Sequence, residues 1–276
     1  MRSIRRTAYV LVIHLVLSAV AVVMLLPFVW LVMTSLKQSY ELFTNPWGLP
    51  LRIHINNYVF AWASGMRGFF GNSIVITSVT VFLILLFSSM AGFVFARRRF
   101  FGRDLLFVVL VAGFLIPVQV TLIPLYTMLR NIGMLDSRVG LIVPYVAYGI
   151  PFSVLLLATF FQSIPAQLEQ AAVIDGCSNT QIYWRIILPL GKLGLATVLI
   201  FQGVWIWNEF LFALVFIRSR RLMTLPLGLM QFRGEFIANW TAILAAVVLA
   251  TLPLLILFLI FQNAFIEGLT AGSVKE

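Results

Sequence analysis

The chain has 276 residues, of which 62% are apolar and only 10% charged, and its mean hydropathy is +1.04. Too few polar residues remain to coat a water-soluble fold, so the composition excludes a soluble domain and predicts a polytopic membrane protein. The net charge of +10 is no argument for nucleic acid, because basic residues gather at the ends of membrane spans to orient them.

Taken in chain order, six apolar runs are long enough to cross: about 9–33, 72–96, 105–129, 139–161, 189–217 and 241–262. A helix of about 20 residues covers the ~30 Å hydrocarbon core, and lipid cannot satisfy the backbone of any open structure. The runs do not alternate, which excludes a β-barrel. The start resembles a signal peptide with its three arginines and "AVA" at 19–21, but its apolar run continues to Met33 and reads as an uncleaved first span. The short basic loop "RRRFFGR" (97–103) favours a cytoplasmic N-terminus, whereas "IRSRR" (217–221) falls on the opposite face. Segments 34–71 and 218–240 then face outward. No repeat or Pro/Gly/Ser-rich linker divides the chain, and one membrane domain over 1–276 is expected.

Chemistry-bearing clusters are scarce. Cys177 is the single cysteine, and His14 and His54 stand far apart, so no metal site is expected. The informative stretch is the loop 163–189, "SIPAQLEQAAVIDGCSNTQIYWRIILP". Pro165 suits a first helical turn, Gly176 a left-handed helix stop, and Ser178 with Gln181 a capping box opening a second helix that Pro189 bends into the fifth span. Leu168, Ala171, Ala172 and Asp175 share one helical face by spacing. No Lys or Arg lies between 139 and 184, so the loop lacks the basic face of a helix resting on lipid. A protein partner is expected to touch it.

The run "IPAQLEQAAVIDGCSNTQIYWRIILPL" resembles the EAA loop of permease subunits in bacterial ATP-driven (ABC-type) importers. It is most similar to the carbohydrate branch and its maltose-permease-like six-span partner. The matching positions are Glu169, Ala171, Ala172, Asp175, Gly176, Ile187, Leu188 and Pro189. "LVMTSLK" (31–37), "NSIVIT" (72–77), "WNEFLFALVF" (207–216) and "GLTAGSVK" (268–275) extend the resemblance over nearly the whole chain. The tail departs from the family pattern at Gln262, Asn263 and Glu267.

This resemblance implies an all-α type I ABC importer permease fold in a bacterial inner membrane, with both termini cytoplasmic. It implies ATPase coupling through Glu169, Ala171, Ala172, Asp175 and Gly176. The implied partners are a second permease subunit, two ATP-binding subunits and an extracytoplasmic solute-binding protein, with ATP and Mg held by the ATPase. No GxxxxGK[ST] loop occurs in this chain, so it is expected to be a transport subunit without cofactor rather than an enzyme. A sugar or oligosaccharide is the expected cargo, with a glycerol phosphate ester or amino-sugar as the alternative. An ion-coupled secondary transporter, the reading from another class, would call for inverted repeats and paired intramembrane carboxylates.

Within the spans Glu209 stands out, since an acidic residue at mid-helix costs roughly 2.5–3.5 kcal/mol on insertion scales. Gln202, Trp205, Asn208, Glu209 and Phe212 fall on one face of a continuous fifth helix, and Gln119 sits among the prolines of the third span. Gln119, Gln202, Trp205, Asn208 and Glu209 are therefore candidates for the translocation path. The competing reading pairs Glu209 with a basic group in the bundle and packs Trp205 against a partner subunit.

Overall fold

Helices apolar on every face need a solvent other than water, and the computed structural model is built of them. It describes residues 2–235 and 239–271, with side chains over 9–231, 234 and 239–262. Among the described residues all regular structure is helical. The helices of six residues or more are α1 (Arg2–Ser35), α2 (Asn56–Ala61), α3 (Arg67–Arg97), α4 (Arg103–Leu115), α5 (Val118–Asn131) and α6 (Val139–Ser163). They continue with α7 (Ala166–Ile174), α8 (Asn179–Leu190), α9 (Lys192–Asn208), α10 (Leu211–Phe216), α11 (Leu225–Glu235) and α12 (Trp240–Ala271).

Tyr9–Ser35, Asn56–Arg97, Val139–Ser163 and Trp240–Gln262 are each long and apolar enough to cross a membrane; α4 with α5 and α8 with α9 bring the number to six if each bent pair is one span. Two expectations need correction. The third predicted span, 105–129, is not one helix: it bends by 98° between α4 and α5. Pro117 has no N–H to continue the ladder and drives Ile116 to an extended backbone (φ −77°, ψ 116°). The fifth, 189–217, breaks twice. Gly191 separates α8 from α9 at a 72° bend, two residues after Pro189, and Glu209–Phe210 separate α9 from α10.

The chain clusters into two compact units, residues 1–67 with 229–252 and residues 68–228 with 253–276. In the first unit the predicted outward segment folds on its own polar atoms. Lys37, fully buried, donates through Nζ to the carbonyls of Asn45 (2.8 Å) and Pro46 (3.2 Å). Glu41, also buried, accepts from the Leu51 amide at 2.9 Å and the Gln38 amide at 3.2 Å. The Leu51 hydrogen bond is the main reason the Glu41 carboxyl lies below its ordinary range, ahead of the opposing effect of burial. Asn239 opens α12, its Oδ1 accepting from the Ala242 amide at 3.2 Å.

The second unit holds the core around α3, α6 and α9. Lipid is as apolar as leucine, so these helices associate by close packing and side-chain hydrogen bonds. A Cβ on Gly92 of α3 would sit 3.1 Å from the Leu157 Cβ and 3.2 Å from the Ala158 nitrogen, which is how closely α3 and α6 approach. Gly149 of α6 leaves even less room, with the Ile84 Cδ1 at 2.3 Å from such an atom. Ser89 of α3 meets the Tyr183 hydroxyl of α8 at 2.7 Å, and Thr121 of α5 meets the Tyr148 hydroxyl of α6 at 2.5 Å.

Candidate functional site: the α7–α8 loop and the α4–α6–α9 cleft

The loop folds as its caps predict. Pro165 occupies the position just before α7, one residue earlier than a first-turn proline, with ψ at 129°. At the other end Gly176 adopts φ 78°. The Cys177 amide bonds the Ala172 carbonyl at 2.9 Å and the Gly176 amide bonds that of Val173 at 3.0 Å, a complete Schellman stop. Ser178 and Gln181 then form the predicted capping box, with the Ser178 amide 2.7 Å from the Gln181 Oε1 and the Gln181 amide 3.3 Å from the Ser178 Oγ. Capped on both sides, the helix–turn–helix holds its shape through local bonds.

The exposed surface of α7 differs from the face drawn by spacing. Ala172 turns inward and is 5% exposed, whereas Leu168, Ala171, Asp175 and Gly176 face outward. Val173 and Ile174, which spacing did not single out, are exposed, Ile174 to 86%. Glu169 is the larger surprise. Its carboxylate pairs with Arg98 at 2.6 Å and stands 3.8 Å from the Arg97 Nε, with its side chain 13% exposed. Charge patterning offered a signal for these arginines, since "RRR" ends one predicted span and Glu169 follows another two crossings later.

The candidate path residues separate into two groups. A cleft of about 480 Å³ is lined by Phe114, Ile116, Pro117, Val118, Tyr148, Phe152, Phe201, Gln202 and Trp205. Gln202 and Trp205 thus meet in one cavity, and the α4–α5 break forms part of its wall. Gln202 is nonetheless bound to α6, donating to the Gly149 carbonyl at 3.1 Å and the Ser153 Oγ at 3.0 Å. Gln119 is exposed beside the cleft but outside its lining, and Asn208, also exposed, donates back to the Val204 carbonyl at 2.8 Å.

Glu209 does not share a helical face with Gln202, because α9 ends at Asn208. The backbone at Glu209 is extended (ψ 130°), and its side chain folds over the start of α10. It accepts from the Phe212 amide at 2.8 Å and the Ala213 amide at 3.4 Å, and from the Tyr145 hydroxyl of α6 at 2.5 Å. A carboxylate at a helix N-terminus satisfies orphan amides and meets the positive end of the dipole. Its hydrogen-bond donors among the described residues are a phenol and two backbone amides, not the basic group of the competing reading. Tyr145, fully buried and T-shaped to Trp205 with ring centroids 5.8 Å apart, connects this carboxylate to the cleft wall.

A second loop cluster escaped sequence reading. Asp136, with φ at 54°, accepts from the Arg218 amide (2.9 Å), the Ser219 amide (2.8 Å) and the Ser219 hydroxyl. These bonds, led by the Ser219 hydroxyl, hold its carboxyl below the ordinary 3.8. They fix the start of the segment carrying Arg218, Arg220 and Arg221. The side chains of Arg233, Asn263 and Glu267, and the whole of residues 272–275, lie outside those described.

Residues 86–270 match the model of the family described as binding-protein-dependent transport system inner membrane component. The chain is 38% identical over 249 residues to the probable ABC transporter permease protein YurM of Bacillus subtilis, covering 90% of this chain and 83% of YurM. It is 34% identical to the melibiose/raffinose/stachyose import permease protein MelC of Bacillus subtilis (98% of each chain). It is 31% identical to the diacetylchitobiose uptake system permease protein NgcG of Streptomyces coelicolor (95% of this chain, 88% of NgcG). A chain in the crystal structure of a bacterial ABC transporter that imports the acidic polysaccharide alginate has the same fold, with TM-score 0.81 at 23% identity over 94% of this chain and 97% of that one. With a capped loop where the family's EAA motif falls and a helical bundle of the same fold, this chain belongs to the inner membrane permease components of binding-protein-dependent transport systems.

Proposed function

We propose that this permease carries a sugar or oligosaccharide inward, driven by ATP hydrolysis on separate subunits that grip α7. The observation that carries this reading is the α7 stop. A Schellman turn and a capping box hold Leu168, Ala171, Ile174 and Asp175 outward on a short rigid helix, the form a groove on a motor subunit can seize. Closure of two ATP-binding subunits would displace α7 and rock the helices between inward- and outward-open states. A second permease subunit completes the pore, and an extracytoplasmic binding protein delivers the cargo, with both termini of this chain in the cytoplasm. The aromatic wall of Phe114, Tyr148, Phe152, Phe201 and Trp205, with the Gln202 amide, suits rings that stack and hydroxyls that hydrogen-bond. That chemistry, with relatives named for oligosaccharide uptake, favours a sugar over a glycerol phosphate ester.

Cys177, half-buried at the end of the α7 turn, provides the test. A membrane-impermeant thiol reagent should label it only from the cytoplasmic face, and a bound ATPase should protect it. Labelling from the outer face overturns the orientation and the coupling role together. Uptake by reconstituted transporter with its binding protein, compared between oligosaccharides and glycerol phosphate esters, decides the cargo.

A further inference from the structure

Three consecutive arginines stand where α3 stops, Arg97 as its last residue and Arg98 and Arg99 just beyond, and their fates differ. Arg99 is exposed, as expected of a residue that orients a span from the headgroup layer. Arg97 and Arg98 turn inward, their side chains 10% and 29% exposed. The Arg97 Nη2 donates to the Phe161 carbonyl at 2.6 Å and to the Ile164 carbonyl, gripping the C-terminal end of α6 where the helix dipole favours a cation. Arg98 lies over the Phe93 ring at 4.9 Å and holds Glu169 of α7 at 2.6 Å. One patch of charge therefore fastens three elements: the end of α3, the end of α6 and the first turn of α7.

We propose that Arg97 and Arg98 are positioning residues that make α3 travel with α7, so that the displacement of the coupling helix enters the bundle directly through the second span. This rests on α7 being the coupling helix. The chain path from α7 leads only to α6 and α8, and each junction is a bend-prone loop: Ile164–Pro165 on one side, Asp175–Gly176–Cys177 on the other. The ion pair bypasses both. It also assigns Glu169 a task inside the chain, since a carboxylate this enclosed and already paired presents little charge to an outside surface. Glu169 at the family's Glu position thus acts as an anchor on α3. Beyond it, α3 packs on α6 without a side chain at Gly92, so a shift of its end reaches the core.

The experiment uses the complete transporter, reconstituted in liposomes with its second permease, ATPase and binding protein, and reads sugar moved per ATP hydrolysed. Arg98→Ala and Glu169→Gln should each lower that ratio about fivefold, the factor for an ion pair at the upper end of the surface range. ATPase co-purification should persist in both. A purely structural staple would reduce the amount of folded protein and leave the ratio alone. In a Cys177→Ala background, Arg98→Cys with Glu169→Cys should be equally uncoupled, and a short bismaleimide joining the two thiols should restore the ratio. An unchanged ratio in the single variants overturns the proposal. So does a cross-link that stops transport, since the two helices would then have to separate. An unaltered chain that binds no ATPase overturns the coupling reading itself and this inference with it, an outcome recognisable before any variant is made.

Discussion

The α7–α8 loop and the α9–α10 break are both interruptions between helices, yet they are built by opposite means. The loop is shaped by bonds spanning at most five residues: a Schellman stop at Gly176 and a capping box at Ser178. The break at Glu209 depends on Tyr145, 64 positions away. A local device keeps its form when its surroundings move, which suits a helix passed between subunits. A break held from a distance is tied to the state of the bundle and can respond when α6 shifts.

Removing the distant anchor should have the largest effect. Glu209→Ala leaves the Tyr145 hydroxyl and two amides of α10 without their acceptor in a buried site, and should cost about 3 kcal/mol of stability. Thermal unfolding of the purified protein in detergent measures it, and Glu209→Gln, which retains an acceptor, should lose less than half as much. If both variants are equally stable to wild type, the break is not held by this carboxylate.

The local device should fail more mildly in stability and more completely in function. Val at position 176 must adopt φ near 78°, a strain of about 1–2 kcal/mol, with no clash because open space surrounds the glycine. Gly176→Val should therefore insert into the membrane in normal amount and yet transport nothing, as uptake and membrane fractionation together would reveal.

The difference between the two regions is also why one was legible in the sequence and the other was not. Pro165, Gly176, Ser178 and Gln181 carry their structural meaning in their own backbone chemistry, so a single sequence specifies the loop to within a residue. The fifth span reads as one helix because "WIWNEFLFALVF" contains no proline or glycine, and nothing local announces that a tyrosine in another span will capture Glu209. Pro117 lay in plain view, but a proline in a span usually kinks it; the 98° bend needs two successive extended residues, Ile116 (ψ 116°) and Pro117 (ψ 134°), between the helices. Ala172 was placed outward by a spacing rule that defines a face without saying which way it points. Arg97 and Arg98 read as orientation signals, and their pairing with Glu169 needed the fold.

Two finer tests separate packing from lining in the cleft. Gln202→Ala should lose about 1 kcal/mol, because its amide holds α9 to α6 through Gly149 and Ser153. Trp205→Ala, at a residue 36% exposed on the cleft wall, should lose about 1 kcal/mol with its edge-to-face contact on Tyr145 and, unlike Gln202→Ala, alter uptake or sugar preference. Identical profiles for the two variants would remove the distinction.

The smallest effect concerns Asp136. Its folded carboxyl titrates below 3.8 because the charged form is hydrogen-bonded. The stabilisation is fully present above that ordinary value and fades as pH falls through the lowered folded value. Acid unfolding of Asp136→Asn should lack this component, and the two proteins should converge in stability at the acid end of the titration.

The break between α4 and α5 leads to a consequence for how specificity is investigated. Two helix ends meet at the cleft wall beside Ile116, Pro117 and Val118, and helix ends leave amides and carbonyls without partners along the chain. On the proposed path, main-chain groups at these helix ends would add hydrogen-bonding capacity to that of the side chains. Side-chain scanning is blind to such groups, because alanine keeps every one of them. Replacing single amides by esters would register what alanine scanning overlooks.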